Sequence, residues 1–202
     1  RGFGFASETL DMRMDKSRAL SAYEVVNSYT RTDLERIFRE YGEVREYRKA
    51  ADLIVRRRAE KPFESARDLA DFAAKHLHAR KIHPATLLFQ AIRIEVNDEL
   101  GELKRLLESI RDLNLSNTTV AIISFHSLED RIVKQTFKEW TKACICPKEA
   151  MRCSCGADHA YGKIVTKTPI TAGEEELEHN PRARSAKLRI FQTRNFHREE
   201  AR

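Results

Sequence analysis

Glycine is scarce, at 7 of 202 residues, and its placement excludes the common nucleotide-binding loops. The one G-x-G, Gly2 to Gly4, follows no strand-like run, so no dinucleotide fingerprint is present. A small-molecule cofactor would have to be held mainly by residues outside these. Nor is there a G-x-S-x-G elbow, whose glycines permit the strained turn that exposes a hydrolase serine. No apolar stretch approaches the roughly 18 residues a membrane span needs, and there is no internal repeat or low-complexity tract. No signal-peptide pattern is visible, so a soluble cytoplasmic protein with reduced thiols is expected, without a disulfide framework.

Charge, by contrast, is plentiful. Charged residues make up 34% of the chain, and Lys and Arg outnumber Asp and Glu by 37 to 31, a net +6. That balance favours an acidic partner such as nucleic acid. With 41% hydrophobic residues the chain can bury one substantial core, or a core domain with a smaller one attached.

The opening RGFGFASETL carries no initiator Met and reads as a loop, so a preceding segment is expected. In TDLERIFREYG, Leu34, Ile37, Phe38 and Tyr41 share a helical stripe, with Thr32 and Glu35 at capping-box spacing and Gly42 as a stop. ESARDLADFAAKHL repeats the device with Ser65 and Asp68 ahead of Leu69, Phe72, Ala73 and Leu77. VREYRKAADLIVRRRAEKP between them is also helical. From Pro84, apolar residues at helical spacing run from Leu88 to Ile110, predicting one long helix. The pattern then changes. VAIISF predicts a strand buried on both faces, a helix follows over Ser127 to Trp140, and GKIVTKTPI and SAKLRIFQT read as strands.

Polar residues in SFHSLED stand where a strand hands over to a helix. Ser127 and Asp130 have capping-box spacing. That leaves His126 and Arg131 at a strand end, where open α/β sheets bind ligands. CICPKEAMRCSCG puts Cys144, Cys146, Cys153 and Cys155 in two C-x-C pairs, close enough for four thiolates to meet at one structural zinc; the alternative is four free thiols in a surface loop. Arg56, Arg57 and Arg58 are adjacent cations suited to RNA phosphates, or to a solvated helix face.

RGFGF, LDMRMD, SAYEVVN, HPATLLFQAIRIEVNDEL, ISFHSLEDRIVK and NPRARSAKLR occur in the order in which the bacterial small-subunit ribosomal RNA methyltransferase H family, also called MraW, carries similar words. The chain resembles that family from Arg1 to about Arg194. The resemblance implies a class I, Rossmann-like α/β methyltransferase sheet with an inserted all-helical domain. Residues 1–15 would lead out of the core, 16–83 would form the insertion, and 84–202 would complete the core. It implies S-adenosylmethionine as cofactor and methylation of the exocyclic N4 of a cytosine in the decoding centre of small-subunit ribosomal RNA. It also implies that the glycine-rich cofactor loop, an acidic ribose ligand and the pocket-closing segment lie upstream of Arg1. This chain would correspond to the C-terminal two thirds of such an enzyme, with no catalytic or cofactor-binding residue of its own. Its RNA-binding residues would be His126 and Arg131 at the strand end and Asn180, Arg182, Arg184 and Lys187 before the last strand. Asp11, Arg13 and Asp15 of DMRMD would join them, unless they form an internal salt-bridge set. A rival reading of the same residues is a non-catalytic RNA-binding or ribosome-associated module with a zinc loop.

Overall fold

Each half of the chain has its own core. A computed structural model describes residues 4–78, 83–147 and 149–195, and the chain divides into two units, Arg1–Glu99 and Leu100–Arg202. The span expected as the helical insertion, 16–83, lies within the first.

The first unit is helical: α1 (Ala22–Ser28), α2 (Arg31–Glu40), α3 (Tyr47–Glu60), α4 (Ala66–His76) and α5 (Ala85–Asn97). Ser21 and Glu24 close a capping box on α1, and the Ser65 side chain accepts from Asp68 N–H at the start of α4. At α2 the cap lies two residues earlier than the sequence pattern suggests. Thr30, not Thr32, accepts from the backbone of Asp33, because the chain leaves α1 in an extended turn at Tyr29 and only Thr30 keeps the β backbone an N-cap requires. Leu34, Ile37 and Phe38 are fully buried with Val25, Val26, Ile54, Phe63, Leu69 and Ile92. Each contributes about 1.5–3 kcal/mol relative to exposure.

The long helix expected from Pro84 is two helices. Asp98 takes a left-handed backbone, φ 50°, which ends α5 at Asn97, and α6 (Glu99–Asp112) starts afresh. The apolar period passes through this break unchanged, so the sequence pattern alone does not reveal it.

In the second unit, α6 is followed by β1 (Thr119–Ser124), α7 (Ser127–Trp140), β2 (Gly162–Ile164), β3 (Ile170–Thr171), α8 (Glu174–His179), a 3-10 turn (Pro181–Ser185) and β4 (Lys187–Thr193). GKIVTKTPI therefore supplies two short strands rather than one. The sheet runs β1-β4-β2, with β3 also on β4, and every pairing is antiparallel. Gly162 is required where it stands, since a Cβ there would lie 2.1 Å from the Gln192 carbonyl oxygen.

β1 is covered on one face only, against the expectation from its apolar run. Val120 and Ser124 are buried, whereas Ile123 is 57% exposed and Phe125 beyond it 56%. The covered face packs Val120 and Phe191 against Val133, Phe137 and Trp140 of α7, Leu107 of α6 and Tyr161. On β4 the covered residues are Arg189, Phe191 and Thr193, so a cation sits on the core side.

Candidate functional site

The end of β1 and the start of β4 are register partners, Ser124 opposite Lys187. The two segments expected to border RNA, 126–131 and 180–187, therefore meet at one end of the sheet. His126 is the N-cap of α7: its Nδ1 accepts the Glu129 backbone N–H at 3.3 Å, while the Glu129 carboxylate accepts the N–H groups of Phe125 and His126 at 2.8 and 3.3 Å. The capping box is thus His126 with Glu129, one residue ahead of the Ser127 and Asp130 expected from spacing. Asp130 is thereby released for tertiary work. Its carboxylate accepts from Arg189 Nε at 2.7 Å and from a second guanidinium nitrogen at 3.1 Å, and Lys187 Nζ lies 3.7 Å away. The Arg189 hydrogen bonds hold the Asp130 carboxyl below the usual carboxylate range, burial opposing them.

Between α8 and β4, Asn180 ends α8 and Pro181 opens the 3-10 turn. Ala183 is buried and pins the turn, while Asn180, Arg182 and Arg184 are exposed. Neither arginine makes an ion pair among the described residues. Arg131 is exposed on the first turns of α7. Two guanidinium groups on this 3-10 turn, beside a strand end, have the fork geometry for bidentate phosphate contacts.

In the first unit, DMRMD is an internally bonded set. Asp11 pairs with Arg13 at 2.6 Å, Arg13 also donates to the Arg18 carbonyl at 2.7 Å, and Asp15 accepts from Ser17 N and Oγ at 2.9 and 2.7 Å. The Arg13 hydrogen bond lowers the Asp11 pKa, and the Ser17 hydroxyl lowers that of Asp15. Met12 is buried with φ 59°, a left-handed backbone that a bulky residue adopts only when its surroundings impose it.

The three arginines of α3 part company. Arg57 pairs with both Asp68 oxygens at 2.9 Å and lies over the Phe63 ring at 4.6 Å. Arg58 donates to the carbonyls of Val26 and Tyr29 at 2.7 and 2.5 Å, capping the C-terminal end of α1, and burial lowers its pKa. Of the three, Arg56 points outward, 76% exposed and paired with Asp52 one turn back, lining a groove of about 480 Å³ that also takes in Lys75.

The four cysteines converge in the excursion between α7 and β2, and their Sγ atoms lie within 4.8 Å of one another. Backbone N–H groups of Ile145 and Ala157 lower the Cys155 pKa to about 5, and the Ser154 N–H and hydroxyl lower that of Cys146.

Residues 1–194 match the model of the MraW methylase family. The chain belongs to that family. It is 60% identical over 191 residues to the ribosomal RNA small subunit methyltransferase H of Aliarcobacter butzleri, 95% of this chain and 63% of the relative. It is 61% identical over 193 residues to the protein of that name from Nitratiruptor sp., again 95% and 63%. Against that of Helicobacter pylori strain 26695 it is 54% identical over 192 residues, 95% of this chain and 62% of the relative. The chain thus spans somewhat under two thirds of the length of these curated relatives.

Among the described residues of this MraW family chain, the turn from β1 to α7 contains no glycine, and Gly42, Gly162 and Gly173 stand after α2, inside β2 and at the cap of α8. Asn97 and Arg189 escaped sequence reading because neither is distinguishable by pattern: Asn97 stands among Glu95, Asp98 and Glu99, and Arg189 alternates with Leu188 and Ile190 as a solvent-facing strand residue would. So did the basic pocket of about 300 Å³ formed by Lys134, Lys138 and Lys167 around Phe137, Ile164 and Arg189, whose lysines are brought together from two distant segments. No described helix is long and apolar enough to cross a membrane.

Proposed function

We propose that this chain forms the RNA-facing part of an S-adenosylmethionine-dependent methyltransferase that modifies the exocyclic N4 of a cytosine in the decoding centre of small-subunit ribosomal RNA. Its strands would extend a Rossmann-like sheet, and 16–83 would be the inserted helical domain. Family membership and the relatives' names support the reaction class. The observation that carries the RNA-facing role is the Ser124–Lys187 register, which brings the strand end and the cationic turn together. S-adenosylmethionine would supply an electrophilic methyl group, its S–CH3 bond breaking to leave S-adenosylhomocysteine, while the cytosine nitrogen supplies the electron pair and gives up an amino proton to a base, so no nucleophilic side chain is needed. What remains for this chain is alignment of the base and its phosphates. Arg182 and Arg184 hold flanking phosphates, His126 and Arg131 border the base, Asn180 and Lys187 line the same end of the sheet, and Asp11, Arg13 and Asp15 brace the entry to the helical domain.

The test is Arg184→Ala in a protein of the relatives' full length carrying this sequence. Methylation of small ribosomal subunits should fall by more than tenfold, about 1.4 kcal/mol of transition-state stabilisation, with cofactor affinity unchanged. Near-normal methylation, or a matching loss of cofactor binding, would remove this turn from the RNA interface.

A further inference from the structure

The segment from Thr141 to Ala160 has a firm base and no core. At the base, Tyr161 N–H donates to the Trp140 carbonyl at 2.8 Å and His159 N–H to that of Ala143 at 2.9 Å. The fully buried Tyr161 receives Leu115 N–H at 2.9 Å and donates its hydroxyl hydrogen to the Ile110 carbonyl at 3.0 Å. Above it, no described residue of 141–160 is buried, and Met151 and Ile145 point outward. Ordering a backbone costs roughly 1–2 kcal/mol per residue, which apolar burial normally offsets. Here burial cannot. Another source of order has to act where the chain converges, and the chain converges on sulfur.

The sulfur geometry identifies the kind of link. Cys144, Cys153 and Cys155 form a triangle with Sγ to Sγ distances of 3.6, 3.6 and 3.7 Å. Four thiolates around one ion at a zinc–sulfur distance of about 2.3 Å lie about 3.8 Å apart along each tetrahedral edge. A disulfide would bring its two sulfurs to about 2.05 Å, far inside the observed separations. A four-iron iron–sulfur cluster, with one cysteine on each iron, or a two-iron cluster, with two on each, would hold cysteines of different irons well beyond this reach. Around the sulfurs, Ser154 N–H donates to Cys146 Sγ at 3.3 Å, and Gly156 and Ala157, at φ 78° and 52°, turn the backbone back immediately after Cys155. His159 Nε2 is occupied by the Cys155 carbonyl oxygen at 2.8 Å and is not a ligand.

We propose that Cys144, Cys146, Cys153 and Cys155 bind one zinc ion in a closed tetrahedral site, and that this ion takes the place of an apolar core in fixing the excursion between α7 and β2. With four thiolate ligands the ion has no open position for water or substrate, so its role is structural. The proposal is independent of the methyltransferase reading.

The experiment uses the 202-residue chain expressed with zinc supplementation and purified under reducing conditions without chelators. Elemental analysis should find one zinc per chain, and less than a tenth of that in Cys153→Ser/Cys155→Ser, while His159→Ala keeps its zinc. Exchange with cobalt should give the intense visible bands of tetrahedral cobalt with thiolate charge transfer. Stripping the zinc should raise tryptic cleavage after Arg152 at least tenfold without lowering the unfolding midpoint of the core around Trp140. That second readout keeps the test valid if the double variant folds poorly. Iron in place of zinc, well below one zinc in the reduced wild-type chain, six-coordinate cobalt, or loss of zinc in His159→Ala would each overturn the proposal.

Discussion

Asp130 on α7 and Arg189 on β4 face each other through two hydrogen bonds of 2.7 and 3.1 Å, with side chains only 13% and 8% exposed. The pair ties the helix that follows the β1 strand end to the strand that follows the cationic turn. Removing one member of such a pair strands the other charge, which costs about 3–5 kcal/mol when burial is complete. Asp130→Ala should therefore lower the urea-unfolding free energy of the 202-residue chain at neutral pH by about 3 kcal/mol. The Asp130 pKa is depressed in the folded state, so its contribution is full above the unfolded value of about 3.9 and is lost as pH falls through the lower folded value. The gap between wild type and Asp130→Ala should narrow as pH falls below about 3.9, and a gap that does not narrow in acid would show that charge is not its source.

Asn97 has the same importance for the first unit. Its Oδ1 accepts Met14 N–H at 2.8 Å, and its Nδ2 donates to the carbonyls of Met12 and Arg93 at 2.8 and 2.9 Å. Asn97→Ala leaves partners unsatisfied at about 1–3 kcal/mol each. We expect a loss of about 3 kcal/mol and faster hydrogen exchange at the Met14 amide, with Asn97→Asp intermediate because it keeps the acceptor. Unchanged exchange at Met14 would mean that DMRMD is held by other contacts.

The three arginines of α3 should separate by assay. Arg57→Ala and Arg58→Ala should each lower the melting temperature by several degrees, roughly 1–2 kcal/mol, since both are engaged inside the unit. Arg56→Ala should leave melting unchanged and reduce the slope of log affinity against log salt for ribosomal RNA by about 0.7–0.9, one phosphate contact. An unaltered slope would return Arg56 to the role of a solvated cation.

The 202-residue chain by itself should bind S-adenosylmethionine weakly, because its sequence contains no glycine-rich cofactor loop. Calorimetry that finds a micromolar or tighter site on it would overturn this. An in-frame glycine-rich segment encoded ahead of Arg1 would supply that loop.

Helix placement was legible in the sequence wherever a local rule decides it. The Leu34, Ile37 and Phe38 stripe, the Ser65 cap and the Ser127–Trp140 span all follow from side-chain period and from hydrogen bonds made within four residues. The long family words likewise marked the chain as MraW-like, because specific residue order survives in sequence without reference to shape. Tertiary structure decided what sequence spacing leaves degenerate. Two side chains three apart can cap a helix from adjacent frames, and only the actual entry backbone selected His126 with Glu129, leaving Asp130 for Arg189. An unbroken apolar period does not record the left-handed residue Asp98 that divides it. Three adjacent arginines look alike in a row, yet a helix turns successive side chains by about 100°. That rotation sent Arg57 to Asp68 and Phe63, Arg58 to the carbonyls of Val26 and Tyr29, and Arg56 to solvent.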